Sequence, residues 1–169
     1  MHQEYLLTTA EVAGALLGFV GVVLILGRRS EGILSPQDES GLFHLVYSAA
    51  GAIFFSLFMY LVLASFEQQS LIWRIGLGLI TLYLLYGVTK AMREGKGGEN
   101  RLNPVARHLL SVVTFALIVL NIAVVIGFFQ FMAPLAYTLS VTLMIGVAVS
   151  YFVPFVLTRA QKGGSENDA

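Results

Sequence analysis

HLLSVVTFALIVLNIAVVIGFFQFMAPLAYTLSVTLMIGVAVSYFVPFVLT, from His108 to Thr158, contains no Asp, Glu, Lys or Arg. A helix needs roughly 20 apolar residues to cross a hydrocarbon layer of about 30 Å, so this run is too long for one span and must fold back on itself. Gln130 and Pro134 mark the expected turn, because proline lacks the backbone donor and suits the first turn of a new helix. The run therefore divides into spans at 108–129 and 135–157. Three more windows of similar character lie ahead of it, at 5–27, 42–66 and 71–89.

The rest of the composition agrees. The chain is 57% hydrophobic and 12% charged, whereas soluble domains carry about 25% charged residues, so a water-soluble protein is excluded. The apolar runs are continuous, unlike the segments of about ten alternating residues that build a membrane barrel. The expected fold is all-α: a polytopic integral membrane bundle of five transmembrane helices forming a single domain over 1–160, with 161–169 as a disordered cytoplasmic tail. No basic residue precedes the first span, and its apolar stretch exceeds that of a cleavable signal. The absence of cysteine excludes disulfides, thiolate metal sites and cysteine nucleophiles.

Basic residues set the expected orientation, since positively charged loops are retained on the cytoplasmic side. Arg28 and Arg29 lie between the first two spans, Lys90, Arg93, Lys96, Arg101 and Arg107 between the third and fourth, and Arg159 and Lys162 after the fifth. Nine of the ten basic residues thus share one side. The N-terminus is expected outside and the C-terminus in the cytoplasm. Arg28, Arg29, Lys90 and Arg93 read as topology and lipid-headgroup contacts. Arg74 is the exception, and with Trp73 it reads as an anchor at the opposite interface. Ser35-Pro36-Gln37-Asp38 and Asn103-Pro104 carry the chemistry of helix starts, while Glu94 to Asn100 reads as a flexible glycine-rich loop.

Helix faces hold the candidate functional residues. Glu11, Gly14, Gly18 and Val22 fall within about 80° of one another on the first span, so the carboxylate shares a face with a close-packing glycine pair and should point at protein. Ser48, Ala52 and Ser56 form a stripe on the second span, one turn beyond His44. Thr138, Thr142, Gly146 and Ser150 do the same on the fifth, leading to Pro154. On the fourth, Ser111, Thr114 and Asn121 share a face. Glu11, Ser48, Ser56 and Asn121 are the candidates for a polar path; Gly14, Gly18, Ala52, Thr138, Thr142, Gly146 and Ser150 are candidates for helix packing.

Glu11 also has a purely structural reading. Thr8-Thr9-Ala10-Glu11 matches a capping box, with Leu7 and Val12 at the hydrophobic-staple positions. That would start the helix near Thr9 and leave Glu11 at the outer interface. His44 and His108 fall at the same end of their spans, which would allow a metal or haem between the second and fourth helices. Two separated histidines are nevertheless a poor metal signature, so no metal and no cofactor are expected. No nucleophile–base pair, P-loop or dinucleotide fingerprint is present, which argues against an enzyme. The basic segment at 90–107 is interspersed with Glu94 and Glu99 and is explained by topology, so nucleic acid is not an expected partner.

Two function classes remain: a self-associating pore or ion-pathway subunit, and a non-catalytic accessory subunit docking onto another membrane protein. The expected partners are the lipid bilayer and either copies of the chain or another membrane protein. The first span followed by its arginine pair has the look of a small prokaryotic membrane protein. That gives the inner (plasma) membrane as the expected location and transfers no function.

Overall fold

A computed structural model of the chain describes residues 2–31, 36–65, 69–94 and 104–165, with side chains for 3–25, 39–65, 70–93 and 105–157. Among the described residues all regular structure is helical: α1 (His2–Glu31), α2 (Pro36–Ser65), α3 (Gln69–Glu94), α4 (Pro104–Ile126), a 3-10 turn at Gln130–Met132, and α5 (Ala133–Ser165). Each of the five α-helices is long and apolar enough to cross a membrane. Helices are the natural form for such runs, because every backbone N–H and C=O is satisfied within the segment itself.

The expected starts at Pro36 and Pro104 are observed. Glu94, expected to open a flexible loop, is instead the last residue of α3. The side chains of 35–38 and 103–104, the rest of that loop at 95–100 and the final four residues lie outside the described residues, as do the side chains of Arg28 and Arg29. α5 runs on to Ser165, so the helix takes in the first five residues of the tail expected to lack structure. α1 requires a correction. It begins at His2, about two turns before Thr9. The Thr8–Glu11 capping box therefore does not start the helix, and the Thr9 hydroxyl instead donates to the carbonyl of Tyr5 within α1, at 2.7 Å.

The long uncharged run reverses slightly earlier than Gln130. Gly127 carries a φ of +116° and Phe129 of +54°. The Gly127 amide donates to Val124 O at 3.1 Å and that of Phe128 to Ala123 O at 2.9 Å, the paired bonds of a Schellman stop. Gly127 is the residue that permits it, since a side chain is strained at that φ.

α2 is the central helix. Of its span 44% is buried, against 22% for α1 and for α4, and it packs most extensively on α5 and α1. Tyr137 of α5 joins three helices: it is fully buried, its hydroxyl donates to Phe55 O of α2 at 2.8 Å, and its ring meets Trp73 of α3 edge to face at 5.5 Å. Gly76 makes room for it, because a Cβ there would lie 3.0 Å from the ring. Trp73 is thus a core residue, and the expected anchoring role at a membrane interface is corrected. α2 and α3 are fastened a second time by Tyr47 and Tyr83. Tyr47 donates to Tyr83 O at 2.9 Å, Tyr83 donates to Tyr47 O at 2.6 Å, and the rings stack at 4.1 Å with 1° between their planes.

Candidate functional site

The polar candidates do not converge on one route. Glu11 is exposed on α1 within one chain. A Cβ added at Gly14, Gly18 or Gly21 would meet nothing within 4 Å, so within one chain the glycine face packs against no other helix. Gly146 on α5 is equally open within one chain. Ser56 is fully buried in the core with no hydrogen-bond partner for its hydroxyl. Asn121 is fully buried as well; its Nδ2 donates to Ser140 Oγ at 2.9 Å, while Oδ1 has no partner.

Several hydroxyl stripes are satisfied within their own helices. Ser140 donates to Ala136 O at 2.8 Å, Thr142 to Thr138 O at 2.7 Å, Ser150 to Gly146 O at 2.7 Å and Thr114 to Leu110 O at 2.7 Å. Such bonds to the preceding turn let serine and threonine sit in an apolar helix without a partner from outside. Thr138 likewise bonds to the carbonyls of Pro134 and Leu135. Thr142 also accepts a hydrogen bond from the Tyr5 hydroxyl, tying α1 to α5. Ala52 is fully buried in the core. Arg74 donates to Val125 O at 2.8 Å, linking α3 to the last turn of α4.

Asn121 therefore reads as a bonded core amide. Replacing both needs of that amide with a shape of similar size removes an orphan acceptor as well as a hydrogen bond, and interhelical hydrogen bonds in membranes average only about 0.6 kcal/mol. Asn121→Leu is expected to change unfolding stability by less than about 1 kcal/mol, measured by thermal or denaturant unfolding in detergent. A large loss would mean that the amide holds α4 and α5 together.

Sequence reasoning did not anticipate the cavity at the end of the bundle that carries Lys90, Arg93 and Arg107. It has a volume of about 390 Å³ and is formed by the first half of α2, the second half of α3, the first half of α4 and the middle of α5. His44, Ser48, Arg107, His108, Ser111 and Thr114 supply its polar wall. Of the polar-path candidates only Ser48 reaches it. The pairing of His44 with His108 at one end was the available signal, and both do line this space. Among the described residues no three metal-ligating side chains converge.

Aromatic and cationic side chains brace the same end. Lys90 Nζ lies 3.1 Å from the centroid of the Phe43 ring, which in turn stacks on Tyr47 at 5.6 Å. His44 stacks on Tyr151 at 5.2 Å, joining α2 to α5. Contact between an ammonium and a ring face is electrostatically favourable, so Phe43 holds a cation beside the cavity mouth.

No protein-family model matches the chain, and neither the curated proteins nor the solved structures contain a significant match.

Proposed function

We propose that this is a small multi-pass membrane protein, outside at its N-terminus and cytoplasmic at its C-terminus, that associates with copies of itself along α1 and forms an ion pathway between the copies. The observation that carries the reading is the exposed Glu11 carboxylate on the same open face as Gly14 and Gly18. Glu11 lies six residues beyond Tyr5, where the apolar run begins, or about 9 Å along the helix axis. A carboxylate facing hydrocarbon at that depth is costly, whereas one facing a water-filled route or a second helix is accommodated. Glycines spaced four apart on the same face let two backbones approach closely.

The interior of one subunit favours a route between copies over a route within one. Tyr137, Met59, Leu77 and Asn121 are fully buried at its centre. The orientation rests on the distribution of basic residues, nine of ten of which fall on one side. A prokaryotic inner membrane is the proposed location.

Mass measurement in detergent and reconstitution into vesicles test the proposal. The wild type is expected to form a symmetric oligomer with measurable cation flux, and Glu11→Gln to lower that flux. Gly18→Leu should leave the subunit folded, because its side chain enters open space in the single chain. It should also weaken association by roughly tenfold or more, by holding the backbones apart. A monomer without flux would overturn the reading. Exclusive co-purification with a different membrane protein, again without flux, would replace it with an accessory role.

A further inference from the structure

We propose that the cavity at the basic end of the bundle is a binding site for an anionic amphiphile, with the anionic group at its rim and an apolar stem inside. The inference rests on the chain lying in a membrane, and on neither self-association nor conduction.

The chemistry of the cavity changes along its axis. Arg107 and His108 sit in the first two turns of α4, His44 near the start of α2, and Met92 near the end of α3, so these define the rim. Deeper residues on the same helices are Thr114, Leu84, Leu143 and Met144. From Arg107 to Thr114 is seven residues of α4, about 10 Å at the helical rise. That depth carries a ligand from the level of lipid headgroups into the apolar interior.

The rim favours negative charge for three separate reasons. Arg107 offers a planar set of donors suited to phosphate or carboxylate, and such charge-assisted bonds are the stronger ones. The N-terminal end of α4, which begins at Pro104, places the positive pole of its dipole at the same level. Among the described residues no Asp or Glu lines the cavity. A cation at the rim would meet Arg107, and no acidic side chain among the described lining residues would offset it.

The wall below the rim favours a stem over a second charged group. Leu84, Val88, Leu143, Met144 and Val147 are apolar. The hydroxyls of Tyr47, Tyr83 and Thr114 are already committed to backbone carbonyls. A volume of about 390 Å³ lies toward the lower end of ligand pockets, which run roughly 300–1,000 Å³. It suits one small amphiphile or the headgroup end of a lipid. Basic pockets between helices at a membrane surface are recognised places for acidic headgroups.

The test uses the full chain purified in neutral detergent, with native mass spectrometry counting bound molecules. Hexyl phosphate represents a free amphiphile, phosphatidylglycerol a lipid source, and inorganic phosphate, hexanol and phosphatidylcholine are the controls. Retention of one hexyl phosphate or one phosphatidylglycerol per chain, above the controls, is expected. Hexyl phosphate alone would identify a ligand entering from water, and phosphatidylglycerol alone a bilayer lipid; both support the site. Arg107→Ala should weaken retention by roughly tenfold to a hundredfold, the worth of a charge-assisted hydrogen bond. Ser111→Phe should abolish it by filling the space. Both positions are exposed, and unchanged melting temperatures would confirm folding. No retention above the controls would overturn the proposal, as would adducts indifferent to both substitutions. Inorganic phosphate bound as tightly as hexyl phosphate would overturn the apolar half of it.

Discussion

Tyr137→Ala is expected to destabilise the protein by about 3 kcal/mol, the lower part of the range for removing a large aromatic from a packed core. Tyr137 is completely buried between α2, α3 and α5, and its ring is gripped by Trp73 on one side and the Gly76 backbone on another. In lipid the unfolded helices are already shielded from water, so the hydrophobic transfer part of the usual cost is reduced. The lost packing remains, because the cavity would leave Trp73 without contact on one side. Tyr137→Phe separates the two contributions. It keeps the ring and removes only the bond to Phe55 O, for a loss of about 0.5–1.5 kcal/mol. Chemical unfolding in mixed micelles measures both, and equal losses from the two substitutions would contradict a packing role for the ring.

Gly51→Ala is the second large effect, expected at about 2 kcal/mol of destabilisation from overpacking. In an unconstrained helix the same change would be favourable by about 1 kcal/mol, through helix propensity. Here the new Cβ would lie 2.5 Å from Cε1 of Tyr83 and 2.8 Å from both Cζ and the hydroxyl oxygen. The ring has little freedom to retreat, since its hydroxyl is bonded to Tyr47 O and its face is stacked on the Tyr47 ring. Overpacking and loss of the reciprocal hydrogen bonds therefore exceed the gain in propensity. In a Tyr83→Leu background the sign should reverse, with Gly51→Ala neutral or stabilising. If Gly51→Ala raises the melting temperature of the otherwise unaltered protein, the two tyrosines do not constrain one another as described.

The parts of the fold legible in the sequence were those set by local properties. The number of long apolar helices follows from the length of apolar runs, and the starts of α2 and α4 follow from Pro36 and Pro104. The capping box at Thr8–Glu11 failed because a cap is only one of the helix's options: residues 2–8 can continue the helix, and continuing it satisfies more backbone groups than stopping at Thr9. Trp73 next to Arg74 looked like an interfacial pair, yet the two residues point to different neighbours, one into the core and the other to the end of α4. The Tyr47–Tyr83 pair and the cavity depend on which helices adjoin and at what height. No spacing along the chain records that. The pairing of His44 with His108 gave a partial signal, because both lie at the same end of their helices.

The ties between helices also impose an order on assembly. Tyr47 and Tyr83 are 36 residues apart, so the α2–α3 clasp can close as soon as those two helices exist. Tyr137 reaches back 82 residues to Phe55, and Thr142 bonds Tyr5 across 137. Neither tie can form until α5 has been made, since synthesis proceeds from the N-terminus. Until then α1 lacks its outer tie and the socket formed by Phe55, Gly76 and Trp73 has no occupant. The last helix made is the keystone, and a chain ending after α4 would be an unlocked bundle.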